Sequence, residues 1–299
     1  MSSSNSSHSR SHSSSQQTSK GKRFARAFLA FVLFLVLSAL CFSVCARVTY
    51  IAPKKVAEIF SNHDYAQGVT EDARGYAHDI CLASGVKEDT LDGVINYESM
   101  SRLQKAYGYG IYADTEDYTE TTYNDILEDL QRSITAEFES AVKKQGIAVS
   151  PNVDKGSAKA AEALIKYIRS ITEFRYSEEV KTIVTIGKNA TLIAIIVFAF
   201  LAVILALIVV SIGSVRYRAM RMLVHSLNAT GLLGVIVIIG VKVVEHFKTL
   251  YIFPMYLRES VLRHIDSCLY TTGYASAICF LLALVLASII WKMNRNKNG

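Results

Sequence analysis

The sequence lacks the short motifs that usually mark catalytic or nucleotide chemistry. It contains no G-x-S-x-G nucleophile elbow, no H-E-x-x-H zinc motif and no glycine-rich phosphate loop. His63 and His78 each precede an aspartate, but a histidine beside an aspartate on a helix is typical of a solvated surface. We therefore predict that the protein is not an enzyme and has no cofactor, and we assign no catalytic residue.

Cysteine is scarce and shows no framework for disulfides or metals. The five cysteines form no C-x-x-C pair and no metal-ligand spacing with histidine. Cys41, Cys45 and Cys279 lie in apolar runs, where cysteine behaves as a small hydrophobic residue. A bridge between Cys81 and Cys268 stays open, because both residues are expected at or beyond the outer face of a membrane. The sequence predicts no metal site.

Acidic residues are missing from three stretches of the chain. Residues 1–26 carry five Lys or Arg, and residues 214–221 and 292–299 carry three each, with no Asp or Glu in any of them. Residues 47–186 instead hold sixteen basic and twenty-three acidic residues, a net charge of −7. Charges segregated in this way argue against a nucleic-acid partner, which needs basic residues gathered on one folded face.

Four apolar runs lie between the acid-free stretches and the acidic segments. Their length predicts that the protein is embedded in a lipid bilayer. A helix rises about 1.5 Å per residue, so about twenty apolar residues cross a hydrocarbon core about 30 Å thick. The runs predict spans at 24–46, 189–213, 222–242 and 268–291. The first run is longer than a usual signal-peptide core and has no A-x-A cleavage site, so we predict an uncleaved signal anchor.

The basic stretches predict the orientation, because positive residues flank spans on the cytoplasmic side. Both termini are expected in the cytoplasm, with a basic loop at 214–221 and a tail at 292–299. The serine-rich residues 1–22 are predicted to be a disordered cytoplasmic tail. Residues 47–186 and the loop 243–267 then lie outside the cytoplasm, in a multi-pass protein of the cell membrane.

The region between the first two spans has helical periodicity. Its apolar residues recur every three or four positions, so each set lies along one helix face. At about 140 residues the region is long enough for one domain. We predict an all-α fold, with four transmembrane helices and an extracytoplasmic bundle of about four helices. The periodic sets run from Val69 to Ala83, from Tyr123 to Val142 and from Ala161 to Ile171.

Proline and glycine predict where the helices of this domain begin and end. Gly85 marks one break, and Pro151, shortly after Gly146, marks another. The first helix of the bundle is expected to continue out of the membrane past Pro53. Residues 106–118 are predicted to be a turn or a loop that ends a helix, with a short hairpin as the alternative.

Small residues four positions apart predict helix packing in the third and fourth spans. Ser226, Thr230 and Gly234 share one face of the third span, and Gly273 and Ala277 share one face of the fourth. Small side chains at this spacing let helix backbones approach closely. The contact is expected within one protomer or at a homodimer interface.

Arg216, Arg218 and Arg221 form the only internal cytoplasmic loop of this topology. They are candidate contacts for a cytosolic partner. The alternative is that they only maintain the orientation and bind anionic lipid at about 1 kcal/mol per basic residue.

The order of elements along the chain resembles that of the permease subunits of FtsX- and MacB-type ABC systems. It consists of one span, a large outer domain and three more spans, with a short basic loop between the second and third spans. In those systems the outer domain engages a partner and the short loop contacts the ATPase. The 1+3 layout also resembles uncharacterised four-span membrane proteins of bacteria.

Two functional hypotheses follow from these observations. The leading one is a membrane protein whose outer helical domain binds a protein, a wall component or a small ligand of the envelope. The alternative, implied by the resemblance, is a membrane subunit that couples an outer domain to a cytosolic ATPase.

Overall fold

The computed structural model describes residues 12–113, 120–145, 151–212, 216–243, 252 and 254–298. These residues form helices and turns and no strand, which confirms the predicted all-α fold for the described ranges. The helices are α1 (His12–Cys45), α2 (Pro53–Ser61), α3 (His63–Ala83), α4 (Tyr97–Gly108), α5 (Glu120–Lys144), α6 (Pro151–Thr172), α7 (Ser177–Ile212), α8 (Arg216–Val243) and α9 (Met255–Asn298).

Short helical turns of other types complete the described chain. Single π-helical turns follow α1 at Ala46–Tyr50 and α4 at Tyr109–Ala113, and a 3-10 turn lies at Glu88–Leu91. The helix α1 begins at His12 and includes residues 12–22, and the disorder of the tail stays a prediction. No proline interrupts residues 12–22, and a helix extends readily once it is nucleated. Residues 1–11 of the predicted tail lie outside the described residues.

The chain divides into two compact units. The membrane unit draws its described residues from Met1–Cys45, Thr191–Val244 and Leu269–Gly299. The interspan unit draws its described residues from Ala46–Ala190 and Glu245–Cys268.

Four helices of the described chain, α1, α7, α8 and α9, are long and apolar enough to cross a bilayer. Many of their large apolar side chains face outward; Phe200, for example, is 69% exposed. Outward apolar surface of this extent is typical of helices in lipid. The four helices therefore indicate a multi-pass membrane protein, as the apolar runs predict.

The interspan unit has a continuous apolar core. The three periodic sets form α3, α5 and α6, which confirms that these segments are helical. The apolar stripe of α5 is buried at every predicted position from Tyr123 to Val142, and Ile134 is only 1% exposed. Each of these helices thus buries one face and leaves the other to solvent.

An aromatic cluster lies at the centre of this core. The ring of Phe60 stacks on Tyr112, with ring centroids 5.0 Å apart, and meets the edges of Tyr65 and Tyr107 at 6.0 Å each. Burial raises the pKa of Tyr65, Tyr107 and Tyr112 above the usual value for tyrosine. The three hydroxyl groups therefore stay neutral at physiological pH.

The expected continuation of the first span past Pro53 is wrong. The helix α1 ends at Cys45, and α2 begins at Pro53 after an extended residue, Ala52, at φ −66° and ψ 122°. Proline has no backbone N–H to donate and disfavours helical geometry in the residue before it, so a new helix begins here. The described residues of the unit form five complete helices, α2 to α6, where the sequence predicts about four.

The predicted loop at 106–118 is helical in its described part. The helix α4 extends to Gly108, and the π-helical turn follows at Tyr109–Ala113. Tyr107 and Tyr112 are 0% and 5% exposed. Burial of these two rings outweighs the low helix propensity of the neighbouring glycines. Residues 114–118 lie outside the described residues.

The predicted helix breaks are found at Gly85 and Pro151. The helix α3 ends at Ala83, and Gly85 has a φ of 71°, in the left-handed region that favours glycine. Pro151 is the first residue of α6, a position where the missing N–H costs nothing.

A buried polar pair joins α4 to the end of α6. Gln104 and Thr172 are both fully buried, and the Gln104 amide Nε2 donates to Thr172 Oγ1 at 3.0 Å. Gln104 Oε1 has no hydrogen-bond partner among the described residues. Because burial without a partner is costly for a polar group, the hydroxyl of Thr172 is important for this contact.

We expect the variant Thr172→Val to lower the free energy of unfolding by about 1–3 kcal/mol, because it leaves the Gln104 amide buried and unpaired. The double variant Gln104→Met with Thr172→Val should recover most of that loss, since it removes both polar groups. Thermal unfolding of the full chain in detergent, followed by circular dichroism, measures both. A single variant as stable as the unmodified protein would contradict the assignment.

Candidate functional site

The segment before the fourth apolar run packs against α3. The sequence predicts a loop at 243–267, but the described chain is helical from Met255 onward. The ring of Tyr256 meets the edge of Tyr65 at a centroid distance of 5.1 Å, and the Tyr256 hydroxyl donates to Asp72 Oδ2 at 3.1 Å. The first turns of α9 are therefore part of the interspan unit.

Glycine at position 68 permits this packing. A Cβ atom built on Gly68 would lie 2.5 Å from Tyr256 Cγ and 2.8 Å from its Cβ. Both distances are shorter than van der Waals contact, and both atoms are near the backbone of α9, so neither can move away alone. A side chain at position 68 would therefore displace α9.

Polar contacts continue along the same side of α9. Asn62 caps α3 by accepting from the Tyr65 N–H at 3.0 Å, and its amide donates to Ser260 Oγ at 2.7 Å. One turn further along, Arg263 forms an ion pair with Asp64. Together these contacts join parts of the chain almost two hundred residues apart.

A cavity of about 340 Å³ lies between α2, α4 and this part of α9. Its ionisable side chains come from all three helices: Lys55 and Glu58 from α2, Lys105 from α4, and Arg263 and His264 from α9. This volume is at the lower end of the range typical of small-ligand sites, about 300–1,000 Å³.

A close backbone approach positions α4 beside α2. A Cβ atom built on Gly108 would lie 2.7 Å from the carbonyl oxygen of Ala57. Only glycine allows the two helices to come this near. Gly108 lies one turn beyond Lys105, so the approach places that lysine beside the α2 side of the cavity.

The cavity has more positive than negative groups. Lys55 Nζ pairs with Glu58 at 2.8 Å, and Arg263 pairs with Asp64, which lies outside the lining. Lys105 has no ion-pair partner in the part of the chain that the structure describes.

Burial lowers the pKa of His264 below the usual value for histidine, so this side chain is neutral at physiological pH. Its Nε2 lies 3.4 Å from the carbonyl oxygen of Tyr50. A carbonyl oxygen only accepts, so this contact requires the proton on Nε2. His264 therefore contributes a neutral ring to the cavity.

Two of the predicted packing residues contact α1 within the membrane unit. The Ser226 hydroxyl donates to the carbonyl of Ala30 at 3.0 Å, and Thr230 Oγ1 lies 3.3 Å from Ser38 Oγ. All three hydroxyl-bearing side chains are buried. Hydrogen bonds between helices are one of the interactions that hold apolar helices together in lipid.

The remaining small residues lie in different surroundings. A Cβ atom on Gly234 would collide with Ser276 Oγ of α9, whereas one on Gly273 would be in ordinary contact with Ile238, at 3.6 Å. Ala277 is exposed. A homodimer interface involving these residues stays a prediction.

The three arginines of the predicted basic loop lie at the start of α8. This helix begins at Arg216, and Arg221 is exposed. The side chains of Arg216 and Arg218 lie outside the described residues. A contact between these arginines and a cytosolic partner stays a prediction.

No disulfide joins Cys81 to Cys268 in the described part of the chain, so the bridge left open by the sequence is not formed there. Within the described ranges, no three His, Cys, Asp or Glu side chains are grouped closely enough to bind a metal ion.

The cavity and the packing of α9 are features that sequence reasoning missed. The available signal was a short amphipathic pattern after Pro254, in which Leu257, Ser260 and Val261 lie on the packed side. The charged residues between them favour the interpretation as a loop.

Comparison with known proteins finds no family model, no curated protein and no solved structure that matches this chain.

We expect Gly68→Ala to lower the free energy of unfolding by about 1–3 kcal/mol, because the added methyl group collides with Tyr256. Gly75→Ala is the matched control on α3, since nothing lies within 4 Å of a Cβ atom there. The control should raise stability by about 0.5–1 kcal/mol through helix propensity. Thermal unfolding of the two variants in detergent measures the difference, and equal stability would contradict the packing described.

Proposed function

We propose that this multi-pass membrane protein binds a ligand in the cavity of its interspan unit, and that this unit lies outside the cytoplasm. The observation that carries the proposal is the cavity itself. Charged side chains from α2, α4 and α9 line about 340 Å³ of space. Placing charged groups from separate helices around one cavity stabilises the fold less than keeping these groups apart. The arrangement is therefore better explained by ligand binding than by folding stability.

The distribution of charge supports the proposed orientation. The acid-free stretches 1–26, 214–221 and 292–299 alternate along the chain with the two segments that contribute to the interspan unit. The positive-inside rule assigns acid-free basic stretches to the cytoplasm. The interspan unit, which contains the acidic residues, is then on the opposite side.

Binding accounts for the cavity better than catalysis does. A nucleophile needs a base within hydrogen-bond reach, and the histidine of the cavity directs Nε2 to a backbone carbonyl instead. The hydroxyl groups of Ser61 and Ser260 also donate to backbone carbonyls, at 2.8 and 2.9 Å. The polar groups are thus arranged to maintain the wall of the cavity.

A second candidate function is coupling to a cytosolic ATPase, as in ABC-type complexes. One observation favours it: α7 is continuous from Ser177 to Ile212. This helix begins in the interspan unit and ends four residues before Arg216. It is therefore the shortest covalent route between the interspan unit and the basic start of α8.

The orientation can be tested by cysteine labelling in a background with the five native cysteines replaced. Ser133→Cys changes one exposed atom on α5, and Arg295→Cys places a thiol after the fourth apolar run. We expect a membrane-impermeant maleimide to label position 133 in intact cells, and position 295 only after permeabilisation. Labelling of position 295 in intact cells, or protection of position 133, would overturn the proposed location.

The second function predicts a stoichiometric ATPase that co-purifies with the full chain in mild detergent. Replacing Arg216, Arg218 and Arg221 together by Ala should reduce that recovery at least about tenfold, since charge-assisted contacts contribute about 1.5–3 kcal/mol each. The triple variant Lys143, Lys144 and Lys155 to Ala removes the same charge from the interspan unit and should leave recovery unchanged. Quantitative mass spectrometry of the purified material distinguishes these outcomes, and the absence of an ATPase would exclude coupling.

A further inference from the structure

The cavity between α2, α4 and α9 has an unbalanced positive charge. Among the described residues that line it, Lys55, Lys105 and Arg263 are basic side chains and Glu58 is the one carboxylate. Even with Asp64 counted as the partner of Arg263, one positive charge remains without a counter-charge. A positive cleft with partly buried walls concentrates anions.

Three neutral donor side chains of the cavity, those of Ser61, Ser260 and Asn62, already donate within the protein. Ser61 and Ser260 donate their hydroxyl hydrogens to the carbonyls of Ala57 and Tyr256. The amide of Asn62 donates to Ser260 Oγ at 2.7 Å and to the carbonyl of Ile59 at 3.0 Å. A sugar or another neutral polar ligand would therefore find few free donors there, whereas an anion would find the ammonium and guanidinium groups.

The number and type of these cations favour an anion with several oxygen atoms. Each lysine has three donor hydrogens, and the guanidinium has five in a planar fork, so neither Glu58 nor Asp64 uses all of them. The three cations line the cavity from three different helices. A tetrahedral oxyanion presents acceptors in different directions, while a single carboxylate presents two in one plane.

We propose that the cavity binds a phosphate group, held by Lys55, Lys105 and Arg263. This inference rests on the proposed function, because it names the ligand class of the same cavity. The phosphate belongs to a phosphomonoester, either a soluble one or the headgroup of an anionic lipid.

The position of the cavity along α9 explains why both sources are included. This helix is continuous from Met255 to Asn298. His264 precedes Cys268, the first residue of the fourth predicted span, by four residues, or about 6 Å of helix rise. A residue this close to the predicted span is within reach of a lipid headgroup at the surface of the bilayer. It is also within reach of a phosphomonoester in solution.

Paired probes distinguish the two sources. The full chain in neutral detergent is titrated with dioleoyl phosphatidic acid against dioleoylglycerol, and with glycerol 3-phosphate against glycerol. Each control lacks only the phosphate. The readout is the apparent Kd from the ligand-dependent rise in unfolding temperature. Stabilisation by phosphatidic acid alone identifies a lipid, and stabilisation by both phosphate probes identifies a headgroup recognised in solution.

Lys105→Gln should weaken binding of the active phosphate probe about tenfold, because a charge-assisted hydrogen bond contributes about 1.5–3 kcal/mol and one factor of ten is about 1.4 kcal/mol. Arg102→Gln is the matched control: it removes the same charge from an exposed position of α4 outside the cavity lining. That variant should bind like the unmodified protein.

Two results would overturn the inference: neither phosphate probe raises the unfolding temperature above its control, or Lys105→Gln and Arg102→Gln weaken binding equally. Neither of these two results contradicts the proposed function, provided that the thiol at position 133 is labelled from outside the cell. Labelling that places position 133 in the cytoplasm overturns the proposed function whatever the phosphate probes show.

Discussion

The packing of the Tyr256 ring on Gly68 is the contact on which the interspan cavity depends. It brings the first turn of α9 against α3, and the hydroxyl of Tyr256 then reaches Asp72. Ser260 and Arg263 follow at intervals of four and three residues, so they lie on the same side of α9 and meet α3 in turn. With that side of α9 fixed, the helix can close a cavity against α2 and α4.

The charge of the cavity follows from how its wall is built. The helix cap at Asn62 and the hydroxyl groups of Ser61 and Ser260 are used to connect the helices. The cationic side chains, in contrast, have more donor hydrogens than their ion pairs use. Because Lys105 forms no ion pair among the described residues, the site is better suited to an anion than to a neutral ligand.

The sequence is sufficient to predict the local features and insufficient for the non-local ones. Apolar runs predict the four membrane-type helices, and the spacing of apolar residues from Tyr123 to Val142 predicts the buried stripe of α5. Both features can be predicted because each depends on residues that are close together in the sequence. The start of α2 at Pro53 also follows from a local rule, because proline disfavours helical geometry in the residue before it. The packing of α9 depends on residues near position 64, and no pattern local to 255–267 reveals that contact.

The most direct test of this account is oxidative cross-linking of Asp64→Cys with Arg263→Cys in a chain that lacks the native cysteines. We expect a disulfide to form rapidly between these two positions, detected by mass spectrometry as a linked pair of peptides. Asp79→Cys with Arg263→Cys is the control, because position 79 lies about 22 Å further along α3. Failure of the first pair to cross-link, or equal cross-linking of both pairs, would contradict the packing of α9 and the cavity that it closes.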